Sequence, residues 1–179
     1  GLDITEFIQR RILEPLGMKD TGWAETDREV PGLVPGTRGN RRFDGTEYSG
    51  LLYSGGMYST LNDLKKWCAE FSAPSVVPGW YVENPLGWTI ENRFGREVMY
   101  HFGNIPAYSS LVMIMRDAPD IFYIILSNQG GTAMNPAIKA LPEILFEAGP
   151  GDGDISRPAA SYAGTSDSSP GPEISGEGG

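Results

Sequence analysis

The chain has 179 residues, a formal charge of -9 and a single cysteine. That length suits one domain with a sizeable core. No basic cluster exceeds two or three residues, which argues against a nucleic-acid partner, and one thiol, Cys68, makes neither an internal disulfide nor a thiolate metal site. No apolar run reaches membrane-spanning length, and the start lacks a basic segment followed by an apolar one, so export is neither shown nor excluded.

Taken in order, the chain opens with GLDITEFIQRRILEPLGM. Leu2, Ile4, Phe7, Ile8, Ile12 and Leu13 follow helical spacing. Asp3 with Glu6 matches a capping box, so a helix is predicted from Ile4 to Glu14, ended by Pro15 and Gly17. Its apolar stripe needs a partner, so the expectation is that the chain's beginning is missing. Residues 18–58 are rich in Gly, Pro, Thr and Asp and read as a long, mostly irregular connection, with short strands around Arg42 to Tyr48. Gly55-Gly56 permits close chain approach but has no P-loop context.

STLNDLKKWCAEF is predicted as the second helix, with Thr60 as N-cap and Asp63 in the first turn, where the helix dipole favours a negative charge. Leu61, Leu64, Trp67, Cys68 and Phe71 form its apolar stripe, which reads as core. From Leu86 the period changes to strands. LGWTIEN and EVMYHF flank an Arg-Phe-Gly-Arg turn, and AYSSLVMIMRD and DIFYIILSN flank Ala118-Pro119. The second pair is apolar on almost every residue, as for strands covered on both faces. Asn135 then caps a predicted helix with Pro136 at its first position. The fold class is α+β, with helices flanking an antiparallel sheet. Residues 149–179 carry -4 of the charge (Asp152, Asp154, Asp167, Glu173 and Glu177 against Arg157) and read as a disordered tail after a domain at 1–148.

The only histidine, His101, stands in MYHFGNIPAYSS, read as a strand with a polar tip and a tight turn. Such a place often carries chemistry, but a lone histidine is more often a hydrogen-bonded structural residue. No G-x-S-x-G, H-E-x-x-H or C-x-x-C occurs, and no serine or threonine is marked as a nucleophile by its neighbours.

Three blocks carry a resemblance. FIQRRILEPLGMKDTGW (Phe7 to Trp23), SGGMYSTLNDLKKW (Ser54 to Trp67) and YHFGNIPAYSSLVMIMRDAPDIFYIILSN (Tyr100 to Asn128) resemble, in order, segments of the serine β-lactamase and penicillin-binding superfamily. More narrowly, the first block looks like the branch holding class C β-lactamases, related esterases and D-stereospecific peptidases. The resemblance implies a β-lactamase/transpeptidase-like fold and hydrolysis of a small ester, amide or lactam through an acyl-serine intermediate. It implies no metal or organic cofactor.

The family's third motif, K-T-G or H-x-G, maps onto His101, Phe102 and Gly103. By resemblance His101 polarises the site, Gly103 leaves room for substrate, and the Asn104 N–H is an oxyanion donor. Phe102 stands where K-T-G enzymes carry a hydroxyl, which points away from carboxylate-bearing lactams and toward neutral esters or amides. The alternatives are that its side chain faces into the sheet, as alternate strand residues do, or that Asn104 supplies the hydrogen bond. The S-x-x-K and Y-x-N motifs do not occur in this sequence. The expectation is therefore a C-terminal part of such an enzyme, truncated on its N-terminal side and inactive alone. The alternative is a non-catalytic penicillin-binding-like module that binds a ligand or partner.

Overall fold

The computed structural model describes residues 1–24, 29–51, 54–93 and 95–130. The expected helix from Asn135 and the tail from 149 lie outside these residues. Helix α1 (Ile4–Ile8) starts where Asp3 Oδ1 accepts the N–H groups of Thr5 at 2.7 Å and Glu6 at 3.4 Å. It does not run on as the regular α-helix expected to Glu14. Gln9–Leu13 is a π-helical stretch, in which Glu14 N–H reaches back five residues to Gln9 C=O at 2.9 Å. Leu13 and Met18 turn inward, while Leu2, Ile4 and Phe7 are exposed. Gly17, at φ +64°, makes the turn out of the helix at little cost.

The long connection is more ordered than its composition suggests. β1 (Gly22–Trp23) pairs with β4 (Met57–Tyr58), and β2 (Gly36–Arg38) forms a hairpin with β3 (Arg41–Phe43). The strand expected from Arg42 to Tyr48 stops at Phe43. Asp44 Oδ1 then takes the N–H and hydroxyl of Thr46 and starts a 3₁₀ turn over Thr46–Leu51. α2 (Leu61–Ala69) carries the Thr60 cap as read from the sequence, with Thr60 Oγ1 accepting Asp63 N–H at 3.2 Å. α3 (Gly79–Glu83) is a single short helix after Pro78 that the sequence reading did not foresee, since five residues show no measurable period.

β5 (Thr89–Arg93), β6 (Arg96–Ile105), β7 (Tyr108–Met115) and β8 (Phe122–Ser127) form one antiparallel sheet in that order. Both predicted hairpins are present. β6 runs further than expected, through Gly103, Asn104 and Ile105, before a two-residue turn at Pro106-Ala107 leads into β7. Alternate residues face opposite sides of the sheet. Val98, Tyr100, Leu111, Met113 and Met115 form one core cluster. Met99 and Ile114 form a second with Cys68 and Phe71 from α2 and the turn after it. The near-continuous apolar run of β7 thus has cover on both faces, as its sequence implies.

Candidate functional site

β6 has two unlike halves. β5 pairs with Arg96 to Tyr100, whereas β7 pairs with Val98 to Ile105. Beyond Tyr100, no strand among the described residues adds to the β5-side edge. The register says which backbone groups face that edge. Arg116 N–H donates to Glu97 C=O at 2.9 Å, so Glu97 exchanges hydrogen bonds with the β7 side. Antiparallel alternation then turns residues 99, 101, 103 and 105 toward β7 and residues 98, 100, 102 and 104 toward the β5 side. The N–H and C=O of Phe102 and Asn104 therefore point along the edge where β5 has ended.

The same alternation sorts the side chains. His101 and Gly103 share the face of Met99, and so do Ser110 and Val112, their partners on β7. His101 is exposed there and makes no hydrogen bond among the described residues. A Cβ at Gly103 would run into Ser110 Oγ, so the missing side chain is what lets that hydroxyl lie over the strand. Phe102 and Asn104 point the other way. Phe102 packs against the cluster of Val98, Tyr100, Leu111, Met113 and Met115. Buried Ser109 lies beside Asn104, its hydroxyl 3.3 Å from Asn104 Oδ1 and 3.0 Å from the Gln129 carbonyl. The H-x-G residues are thus brought to one strand but not to one face.

The site end of the sheet is fastened to the connection before it. Tyr108 Oη accepts Gly36 N–H at 2.7 Å and lies 3.1 and 3.2 Å from the carbonyls of Val34 and Phe43. Thr37 N–H donates to Asn128 C=O at 2.8 Å, and Asn128 Nδ2 donates to Pro35 C=O at 3.1 Å. Burial pushes the hydroxyl pKa of Tyr48, Tyr100 and Tyr108 up, and that of Tyr123 up to about 12. None of these four is set up as a phenolate base at neutral pH. Burial likewise pushes the Cys68 thiol up to about 12, which makes it inert packing rather than a nucleophile.

Asp63 does more than face a helix dipole. Its side chain is 1% exposed and accepts Asp20 N–H at 2.8 Å and Thr21 Oγ1 at 2.9 Å, with Lys66 Nζ at 2.7 Å. Burial acts to raise its pKa, but hydrogen bonds from Lys66, Thr21 and Asp20 outweigh burial and hold it below the usual range. The residue therefore ties α2 to the segment after α1. Its position in D-L of the second block was legible; this role was not, because Asp20 and Thr21 are over forty residues away. Ser110 was missed for a similar reason, since only strand register puts it beside Gly103. Among the described residues no group of three His, Cys, Asp or Glu side chains converges to hold a metal, and no helix is long and apolar enough to cross a membrane.

The sequence model of the Beta-lactamase family matches residues 1–144. The chain belongs to that family. Its fold is shared with the octameric penicillin-binding protein homologue from Pyrococcus abyssi, at a TM-score of 0.68 and 24% identity. The match covers 84% of this chain and 39% of that one, so the chain spans well under half the length of the solved relative. No curated protein matches it.

Proposed function

We propose that β6 is the substrate-side strand of an acyl-serine hydrolase, acting on a small ester, amide or lactam. The observation that carries this is the half of β6 beyond Tyr100, where no strand among the described residues pairs on the β5 side, with His101 exposed on the adjoining face. Along that edge run the backbone groups of Phe102 and Asn104, and by the resemblance the Asn104 N–H is the oxyanion donor. His101 lies on the adjoining face and supplies hydrogen bonding to the reacting groups. Phe102 serves through its backbone, which lies on the edge, rather than through its ring. Acyl transfer needs a nucleophile and a base in hydrogen-bond reach, and neither the S-x-x-K nor the Y-x-N motif that the resemblance implies occurs in these 179 residues.

The test compares nitrocefin and p-nitrophenyl butyrate turnover by this chain and by the natural full-length gene product. The chain alone should show none above background. The full-length protein should turn over one of them and lose about 10²-fold or more in kcat/KM with His101→Ala. Saturable turnover by the chain alone, indifferent to His101→Ala, would overturn the reading. Binding of these compounds by the full-length protein without turnover would make it a ligand-binding module instead.

A further inference from the structure

The open half of the β6–β7 face holds a second polar group besides His101. Ser110 is half-buried, directly opposite Gly103, and its Oγ occupies the space that a side chain at 103 would fill. Its neighbour Ser109 points to the other face, is buried, and donates toward Asn104 and Gln129. Ser110 has no such bond: its hydroxyl makes no hydrogen bond among the described residues. Ser110 Oγ is not fully buried, so it stands accessible at the face of the strand. The absence of a side chain at Gly103 leaves room for it over the facing strand.

Register also fixes its neighbour. His101 opposes Val112, so Ser110 is the diagonal cross-strand neighbour of His101 on the same face. Diagonal neighbours lie roughly 7–8 Å apart between backbones, within reach of an aromatic side chain. A hydroxyl and an imidazole at that separation leave a gap that one oxygen atom of a ligand can bridge. The hydroxyl is a donor as well as an acceptor, and it carries no charge to be neutralised.

We propose that Ser110 is a substrate-binding residue: its Oγ–H donates to an acyl oxygen of a ligand seated between it and His101. The proposal rests on the reading of β6 as the substrate-side strand, and it gives Gly103 a second purpose. The glycine clears the path for the Ser110 hydroxyl as well as for the ligand.

His101 is the only histidine, so its imidazole C–H signals report the site without assignment ambiguity. The experiment titrates a neutral short-chain ester, ethyl butyrate, into the 179-residue chain and follows those signals by NMR, in the unmodified chain, Ser110→Ala and Ser110→Thr. Thermal melts confirm that all three fold alike. The expected result is a saturable shift of His101 whose Kd rises about fivefold in Ser110→Ala, the worth of one neutral hydrogen bond, and stays within twofold in Ser110→Thr. A saturable His101 shift with the same Kd in all three would overturn the role of Ser110 and leave the β6 site standing. A shift of equal weakness in both variants would show that Ser110 acts by shape and also overturns the proposal. No shift of His101 at any concentration would overturn the β6 reading itself, and this proposal with it.

Discussion

The two halves of β6 are made of one continuous strand and do opposite things. From Val98 to Tyr100 the strand has a neighbour on each side, and Val98, Met99 and Tyr100 are all buried. Ion pairs close that end of the sheet: Arg116 with Glu97 at 3.2 Å, Arg96 with Asp117 at 3.7 Å, and Arg93 with Glu91. From His101 to Ile105 no strand among the described residues pairs on the β5 side, no residue is fully buried, and the polar side chains are His101 and Asn104, with Ser110 and Ser109 opposite on β7. The first half holds the sheet together, and the second is held by it. A strand end that keeps its register through β7 presents backbone groups to which a ligand can pair, the mode by which extended peptides add to sheets.

That contrast breaks most visibly by cavity. Met99→Ala in the paired half should destabilise the chain by about 2–5 kcal/mol, while His101→Ala two residues on should change stability by less than about 0.5 kcal/mol. Urea or thermal unfolding of the two variants reads the difference directly. Equal losses would mean that His101 is a packing residue.

Phe102→Thr sharpens it at the boundary. Because the ring packs into the cluster of Leu111 and Met113, this change should cost about 1–3 kcal/mol of stability. In the full-length protein it should leave the ratio of kcat/KM on a carboxylated lactam and a short-chain ester unchanged. A large change in that ratio with an unchanged melt would place the side chain in the site after all.

A smaller effect comes from acid. Glu70 is 4% exposed, and burial acts to raise its pKa, but hydrogen bonds from the Ser75 hydroxyl and the N–H groups of Val77, Val76 and Ser75 hold it below the usual range. Asp63 is lowered in the same sense. A carboxylate with a depressed folded pKa gives stability that is present above the unfolded value, near 4, and lost as pH falls through the folded one. The urea midpoint should therefore be flat from neutral pH to about 5 and fall below about 4. Asp63→Asn with Glu70→Gln should lower the midpoint at neutral pH and flatten the fall. An unchanged acid slope in the double variant would assign it to other carboxylates.

Features with a local cause are legible in the sequence. Asp3 and Thr60 cap their helices because a cap bonds N–H groups two or three residues away. Both hairpins were legible because turn residues and alternating runs sit together in the chain. The π-helical end of the first helix had no such signal, since its sequence fits a regular α-helix equally well. Asp44 redirected the expected strand by bonding Thr46, a short-range competition that the β-forming residues around it masked.

The sequence by itself determined the α+β class, the family blocks and the strand that carries His101, because each is written in residue types at short spacing. What surrounds them is set by pairing across the chain. Pairing with β5 stops at Tyr100, no strand among the described residues continues along that edge, and β6–β7 register puts Ser110 over Gly103 and Phe102 in the core. A strand's two faces and two edges are fixed by which neighbours pair with it and where they stop. Those neighbours come from elsewhere in the chain, so the strand's own residues do not encode them.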